Sequence, residues 1–281
     1  MSYSPSVDIR GLMVGPCFPV RVMGVINLSP ESFYRGSVAD NLDELHEMLE
    51  NASKQGADII DIGGASSAPK DIYGTSDISI EEELKRIVKA LKSIEVSEYP
   101  PLSIDTTSKK VAEAALDLGV SMVNDISGLH ADDEMASLVS DRGVPIVLMA
   151  NCNTPCKNIQ ASLNSLKDSL TIAKNAGINE EKIILDPGIG FGKPSEVDVA
   201  IIRDLSFYVS LNRPLLVGLS RKAFIGHLLN EPNPDNRLTG SIIVSAVAVM
   251  NGADVIRTHD ISETKLAVKI GETLRKPKEQ D

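Results

Sequence analysis

The sequence predicts an α/β protein folded as a single (β/α)8 TIM barrel. Three observations carry that class. Short apolar runs alternate with stretches of helical period from end to end, eight of each. Glycine closes five of the helical stretches, as a left-handed helix stop requires. The 281 residues match the roughly 250 that eight such units need. An open, doubly wound sheet of eight strands uses the same alternation and is the second choice.

In chain order the predicted strands are Val22–Leu28, Asp58–Gly63, Leu102–Asp105, Met122–Ile126, Ile146–Met149, Lys182–Leu185, Leu215–Gly218 and Val255–Thr258. They are mostly unbroken apolar runs, which suits parallel strands covered on both faces. Between them the spacing predicts helices over Asn41–Gln55, Ser79–Ile94, Ser108–Leu118, Asp132–Asp141, Ile159–Asn175, Ser195–Ser210, Arg237–Asn251 and Ser262–Arg275. Apolar positions three and four apart, such as Ile87, Val88 and Leu91, set the period. The closing glycines are Gly56, Gly119, Gly143, Gly177 and Gly252, and Gly-Ala-Asp at 56–58 and 252–254 reads as one helix-to-strand joint used twice. No linker or change of composition divides residues 1–281. Residues 1–19 are expected to cap the barrel floor.

Composition excludes several classes. Hydrophobic residues make up 42% and charged residues 24%, so a packed core is expected rather than disorder. A net charge of −11, with no basic run, argues against nucleic acid as a partner. The longest apolar stretch, Ile242–Met250, is too short to span a bilayer and is interrupted by Ser245, and no apolar block with a cleavage site follows Arg10. A cytoplasmic protein with no membrane partner is expected. The three cysteines, Cys17, Cys152 and Cys156, are an odd number in a long chain and are expected to be reduced thiols, and at Cys152 and Cys156 no histidine or second cysteine pair is present as a metal site would require.

In a barrel the reacting groups stand where the strands end. Here those ends are polar. Asp105, Asn124, Asp186 and Lys222 come from four strands and would ring one mouth. A carboxylate accepts two parallel N–H bonds from a guanidine-like edge, so such a ring suits a flat nitrogenous heterocycle. It also suits a salt-bridge network that only caps the barrel. Arg257 and His259, alternate residues on the last strand, offer donors for an anion, and phosphate sites recur beside the last two strands of such barrels. Gly188-Ile189-Gly190-Phe191-Gly192-Lys193 lacks the spacing of either phosphate-loop fingerprint and reads as a tight turn bringing backbone near the ring.

Seven segments taken together, Met23–Asn27, Ser29–Phe33, Ser103–Thr106, Asn124–Gly128, Leu185–Lys193, Ser220–Gly226 and Arg257–Asp260, resemble the dihydropteroate synthases, in order from about residue 20 onward. The resemblance implies a transferase of folate biosynthesis in which an arylamine, p-aminobenzoate, displaces diphosphate from 6-hydroxymethyl-7,8-dihydropterin diphosphate. It implies a pterin site of Asp105, Asn124, Ile126, Met149, Asp186, Phe191, Gly218 and Lys222. It implies a diphosphate site of Asn27, Arg257 and His259, with Asn27 at Mg²⁺ as the metal ligand and cofactor. It implies an arylamine site of Phe33, Ser67, Pro69, Ser220 and Arg221. Asn27, Lys222, Arg257 and His259 would carry catalysis, and the small-molecule partners would be the pterin diphosphate and the arylamine. A homodimer is expected, with Ile242–Met250 either in the barrel shell or at the interface.

The chain departs from the family pattern in its loops. Where the family reads Gly-Glu-Ser-Thr-Arg-Pro-Gly after the second strand, this chain has Gly64-Ala65-Ser66-Ser67-Ala68-Pro69-Lys70. Its first loop has Tyr34-Arg35-Gly36 after Phe33 in place of Ser-Asp-Gly, and Met149-Ala150 replaces Met-His. Arg35 or Lys70 could supply the missing arginine, or the amine could differ from p-aminobenzoate, as in a methanopterin pathway. Two other functions share the pterin ring: a methyltransferase acting with a corrinoid protein, and a pterin-binding homologue without catalysis.

Overall fold

The computed structural model describes residues 5–29, 34–65, 78–152 and 156–275. Eight parallel strands form one sheet: β3 (Arg21–Asn27), β4 (Ile59–Gly63), β5 (Leu102–Asp105), β6 (Met122–Asp125), β7 (Ile146–Met149), β8 (Ile183–Asp186), β9 (Leu216–Gly218) and β10 (Val255–Thr258). Continuous ladders join neighbours from β8 round through β3 and β10 to β9. A bridge between Leu185 and Leu215, with Leu185 N–H donating to Pro214 over 2.9 Å, closes the ring into a barrel. The short hairpin β1 (Val7–Ile9) and β2 (Leu12–Val14) precedes it.

Helices α1 (Leu42–Lys54), α2 (Ile80–Leu91), α3 (Lys109–Asp117), α4 (Met135–Arg142), α5 (Ile159–Asn175), α6 (Ser195–Arg203), α7 (Ser206–Val209), α8 (Ala223–Leu229), α9 (Leu238–Met250) and α10 (Ile261–Leu274) are described between and after the strands. Two begin one residue later than the spacing suggests because Asn41 and Ser79 stand outside as caps, accepting from the amides of Glu44 and Glu82. Asp132 starts no helix; its carboxylate accepts from Glu134 and from Lys109 at the start of α3. The predicted helix 195–210 is two helices. The backbone leaves the helical region at Asp204 (φ −107°, ψ 31°), and the turn buries Leu205 and Tyr208 completely. Helix α8 was not expected, its seven residues being too few to show a period.

The five closing glycines all have positive φ. Both Gly-Ala-Asp joints make the same bonds. Ala57 and Ala253 bond back five residues over 3.0 Å, and Asp58 and Asp254 donate to Val22 and Leu215 over 2.8 Å. Their carboxylates accept the amides of the same two residues.

Side chains alternate along each strand, and this separates the two cores. Outward residues such as Val22, Ile60, Ile104 and Val123 pack under the helices. Inward residues Met23, Ile59, Met122, Val147, Ile184, Leu216 and Val255 fill the lower barrel together with Val7, Ile9 and Val14 of the hairpin. Two residues further along, the inward positions become Asp61, Asn124, Met149, Asp186, Gly218 and Arg257, with Asp105 beside Asn124 in register. Hydrophobic floor and polar mouth are thus successive turns of one alternation.

Candidate functional site

Asp105, Asn124, Asp186, Gly218 and Arg257 stand in the upper layer of the barrel, with Met149 as an apolar wall. Arg257 ties the charges together: Nε donates to Asp61 Oδ2 over 2.7 Å and an Nη to Asp105 Oδ2 over 2.8 Å. The Asn124 amide donates to the same Asp61 oxygen over 2.9 Å. Asp61 is fully buried and central to this network, and sequence reasoning passed it over. Its position two residues after inward Ile59 was the available signal. Adjacent Asp125 faces the other way, accepting from Ser127 and Leu129 at 2.8 Å each, and so secures the loop after β6.

Lys222 reaches the ring from the turn after β9. Its ammonium donates to the Ile189 carbonyl and lies 4.6 Å from the centre of the Phe191 ring, a cation–π contact. Burial pushes the Lys222 pKa down to about 8, against the opposing pull of Asp186. Burial raises the Asp186 pKa, and Lys222 is the leading influence that lowers it. Asp186 also accepts from the Gly188 amide over 2.7 Å. The turn itself uses Gly188, Gly190 and Gly192 at φ +71°, +77° and +72°. A Cβ on Gly190 would fall 2.5 Å from Lys222 Cδ, so only glycine allows this approach. Beneath it, Asp198 accepts the Gly190 amide over 3.0 Å, and burial raises its pKa to about 6. Ile126, half-buried, follows Asn124 on the inward parity.

Arg257 and His259, expected together as anion donors, are held in different ways. Two nitrogens of the Arg257 guanidinium are bonded to Asp61 and Asp105, so this residue belongs to the ring layer and borders the anion edge. His259 Nδ1 shares a 2.9 Å hydrogen bond with Ser220 Oγ. Burial, followed by the nearby cations Arg257, Arg221 and Lys222, lowers the His259 pKa to about 3, so the imidazole is neutral at pH 7. Arg221 makes a bidentate pair with Asp260 at 2.9 and 2.8 Å and donates to the carbonyls of Pro234 and Asp235. Its guanidinium therefore braces the loops, and Ser220 beside it is buried, its hydroxyl bonded to His259 and Asp260. Phe33, Ser67, Pro69 and Lys70 lie outside the described residues, as does the Arg35 side chain.

Asn27 ends β3 at the same mouth, its amide nitrogen donating to Ser37 Oγ over 2.8 Å. Its Oδ1 points over Gly63, where a Cβ would stand 3.4 Å away. A single oxygen donor beside an anion site fits Mg²⁺, which keeps most of its water and phosphate oxygens. Among the described residues no cluster of three His, Cys, Asp or Glu side chains could hold a metal.

The expectation of reduced loop thiols after β7 is overturned. Cys152 and Cys156 form a disulfide, with Cα atoms 5.4 Å apart, a separation within the range that a bridge spans. Spacing alone does not set the distance between the two Cα atoms. Cys17 is a free, exposed thiol.

Comparison with known proteins agrees with this geometry. The family model for Pterin binding enzyme matches residues 23–259. The chain is similar to the dihydropteroate synthase of Clostridium beijerinckii, 40% identical over 252 residues that cover 89% of this chain and 92% of the relative. The structure of the Coxiella burnetii dihydropteroate synthase in complex with pteroic acid superposes with a TM-score of 0.85 at 33% identity, covering 98% of this chain and 99% of that one. That of Xanthomonas albilineans with 4-aminobenzoic acid gives 0.86 at 31% identity, covering 98% and 100%.

Proposed function

Because this chain belongs to the dihydropteroate synthase family, we propose that the polar mouth of its barrel is where the pterin and the arylamine are joined. The protein is a transferase that condenses 6-hydroxymethyl-7,8-dihydropterin diphosphate with an arylamine and releases diphosphate. The observation that carries the assignment of the mouth is the convergence of Asp105, Asn124, Asp186 and Arg257 in one inward layer, which Lys222 and the Phe191 ring reach from the turns after β9 and β8.

The pterin lies flat between Met149 and Phe191. Asp186 accepts from its amino and ring N–H edge, while Lys222 donates to the opposite edge. Asp61 and Arg257 fix the orientation of Asp105 and Asn124 and cost nothing to reorganise on binding. The exocyclic C–O bond breaks and its electron pair leaves with the diphosphate. Positive charge spreads into the pterin, where Asp105 and Asp186 tolerate it. The neutral arylamine nitrogen forms the new C–N bond and afterwards gives up a proton to solvent. No protein nucleophile is needed; the chain's contribution is alignment and charge. Arg257 and His259 face the departing anion, and Ser220 faces the amine. Asn27 would hold Mg²⁺, which when bound supplies positive charge to the diphosphate oxygens.

The amine is p-aminobenzoate in this reading. The test is to incubate the protein with Mg²⁺, the pterin diphosphate and a panel of arylamines, including a bulkier and a phosphorylated one. Equal yields of diphosphate and coupled product with p-aminobenzoate are expected. Diphosphate without coupled product, or methyl transfer to a corrinoid protein instead, would overturn the reading.

The chain is proposed to pair. Helices α9 and α10 pack side by side and present Ile243, Val247 and Met250 on one stripe and Leu266, Ile270 and Leu274 on the other, all exposed. An apolar face of this kind marks an interaction surface, and a second copy covers it symmetrically. No described helix is long and apolar enough to cross a membrane. The cytoplasm is the proposed compartment, because a charged diphosphate substrate stays where it is made.

A further inference from the structure

Tyr34 stands at the anion edge of the mouth, in the loop where this chain departs from the family pattern. The guanidinium carbon of Arg221 lies 4.4 Å from the centre of its ring. The His259 ring centre is 5.0 Å away, the two planes tilted by 57°. Gly36 makes room for this ring: a Cβ there would fall 2.7 Å from the Tyr34 Cζ and hydroxyl oxygen.

The main chain of Tyr34 is held toward the end of β3. Its carbonyl accepts from the Ser37 amide and hydroxyl, at 3.3 and 3.0 Å, and Ser37 Oγ accepts from the Asn27 amide. Tyr34 therefore links the end of β3 to the turns after β9 and β10. Arg221 offers a fixed platform rather than a mobile cation. It is 6% exposed, and Asp260, Pro234 and Asp235 hold its guanidinium. The attraction between a cation and an aromatic face is strongest where water is excluded, as it is here. His259 is held through Nδ1 to Ser220, and the Tyr34 ring packs against the imidazole from the loop-one side.

We propose that Tyr34 is a positioning residue for the transfer reaction, docking residues 34–37 onto Arg221 and holding the His259 imidazole against the diphosphate. The reaction role rests on the reading of this mouth as the synthase site; the docking does not. Both contacts belong to the ring, so the hydroxyl is dispensable and phenylalanine should serve.

Tyr34→Phe and Tyr34→Ala, compared with the unaltered chain, test the proposal in two ways. Without substrate, trypsin cleavage after Arg35, mapped by mass spectrometry, should quicken about tenfold in Tyr34→Ala and stay within about twofold in Tyr34→Phe. In turnover, kcat/KM for the pterin diphosphate should fall about tenfold in Tyr34→Ala and be restored by phenylalanine, while Kd for a pterin lacking phosphate moves less than about twofold. Unchanged cleavage in Tyr34→Ala would overturn the docking. Unchanged kcat/KM, or an equal loss of phosphate-free pterin binding, would overturn the positioning role. If the unaltered chain forms no coupled product, the synthase reading and the reaction role fall together, and the cleavage comparison still decides the docking.

Discussion

Arg257 donates through Nε to Asp61 over 2.7 Å at the centre of the barrel, and Asp61 has no exposed surface at all. The same carboxylate oxygen receives Asn124, so one buried acid orients two of the polar groups of the barrel mouth. Removing one partner of a buried ion pair leaves the other desolvated and uncompensated. Asp61→Ala should therefore destabilise the fold by about 3 kcal/mol, read from urea unfolding. A loss below about 1 kcal/mol would show that Asp105 alone suffices for Arg257.

Asp186→Ala should weaken pterin binding by roughly 2–5 kcal/mol, because it strands N–H donors of the buried ring edge. Calorimetry with a pterin lacking phosphate measures this directly, and wild-type affinity would remove Asp186 from the site. Arg257→Ala should instead slow diphosphate departure more than it weakens that binding.

Gly190→Ala tests the turn. At φ +77° a side chain is strained, and its Cβ would press into Lys222. The expected result is a loss of pterin affinity of about 1–3 kcal/mol with the circular dichroism spectrum of the fold retained. Unchanged affinity would mean that Lys222 can be displaced without cost to binding.

His259 has a pKa of about 3 in the folded protein against 6.5 for the ordinary side chain. Between those values the unfolded chain binds a proton that the folded one excludes. Its contribution to stability is therefore full above pH 6.5 and is lost as pH falls toward 3, with a slope of up to about 1.4 kcal/mol per pH unit. His259→Gln should flatten the stability curve across that window. An unchanged curve would place a charged imidazole in the mouth.

Pairing through α9 and α10 predicts that Ile243→Glu or Leu266→Glu, at positions 60% and 63% exposed, gives a monomer in sedimentation with its fold intact. Variants that sediment like the unaltered chain would move the interface elsewhere.

The order of strands and helices was legible because each element needs only local information: an apolar run, a period, a glycine stop. The polar strand ends were legible too, since Asp105, Asn124, Asp186 and Lys222 each follow an apolar strand within a few residues. Asp61 also stands near the end of an apolar strand but was left out of the ring, because it lies between Ile60 and Ile62 and only the inward parity singles it out. The break at Asp204 and the short α8 escaped for a different reason. They go with the burial of Tyr208 and Phe224 and show no local pattern.

The sequence by itself determined the barrel, its eightfold count and the chemical character of its mouth, because strand period, helix stops and residue type act over a few neighbouring residues. Tertiary structure decided which charges meet: that Arg257 serves Asp61 and Asp105, that Arg221 is spent on Asp260, that Tyr34 reaches His259, and that Cys152 bridges to Cys156. Such pairings depend on distances of a few ångströms between groups that closure of the barrel brings together, and sequence spacing carries no record of those distances.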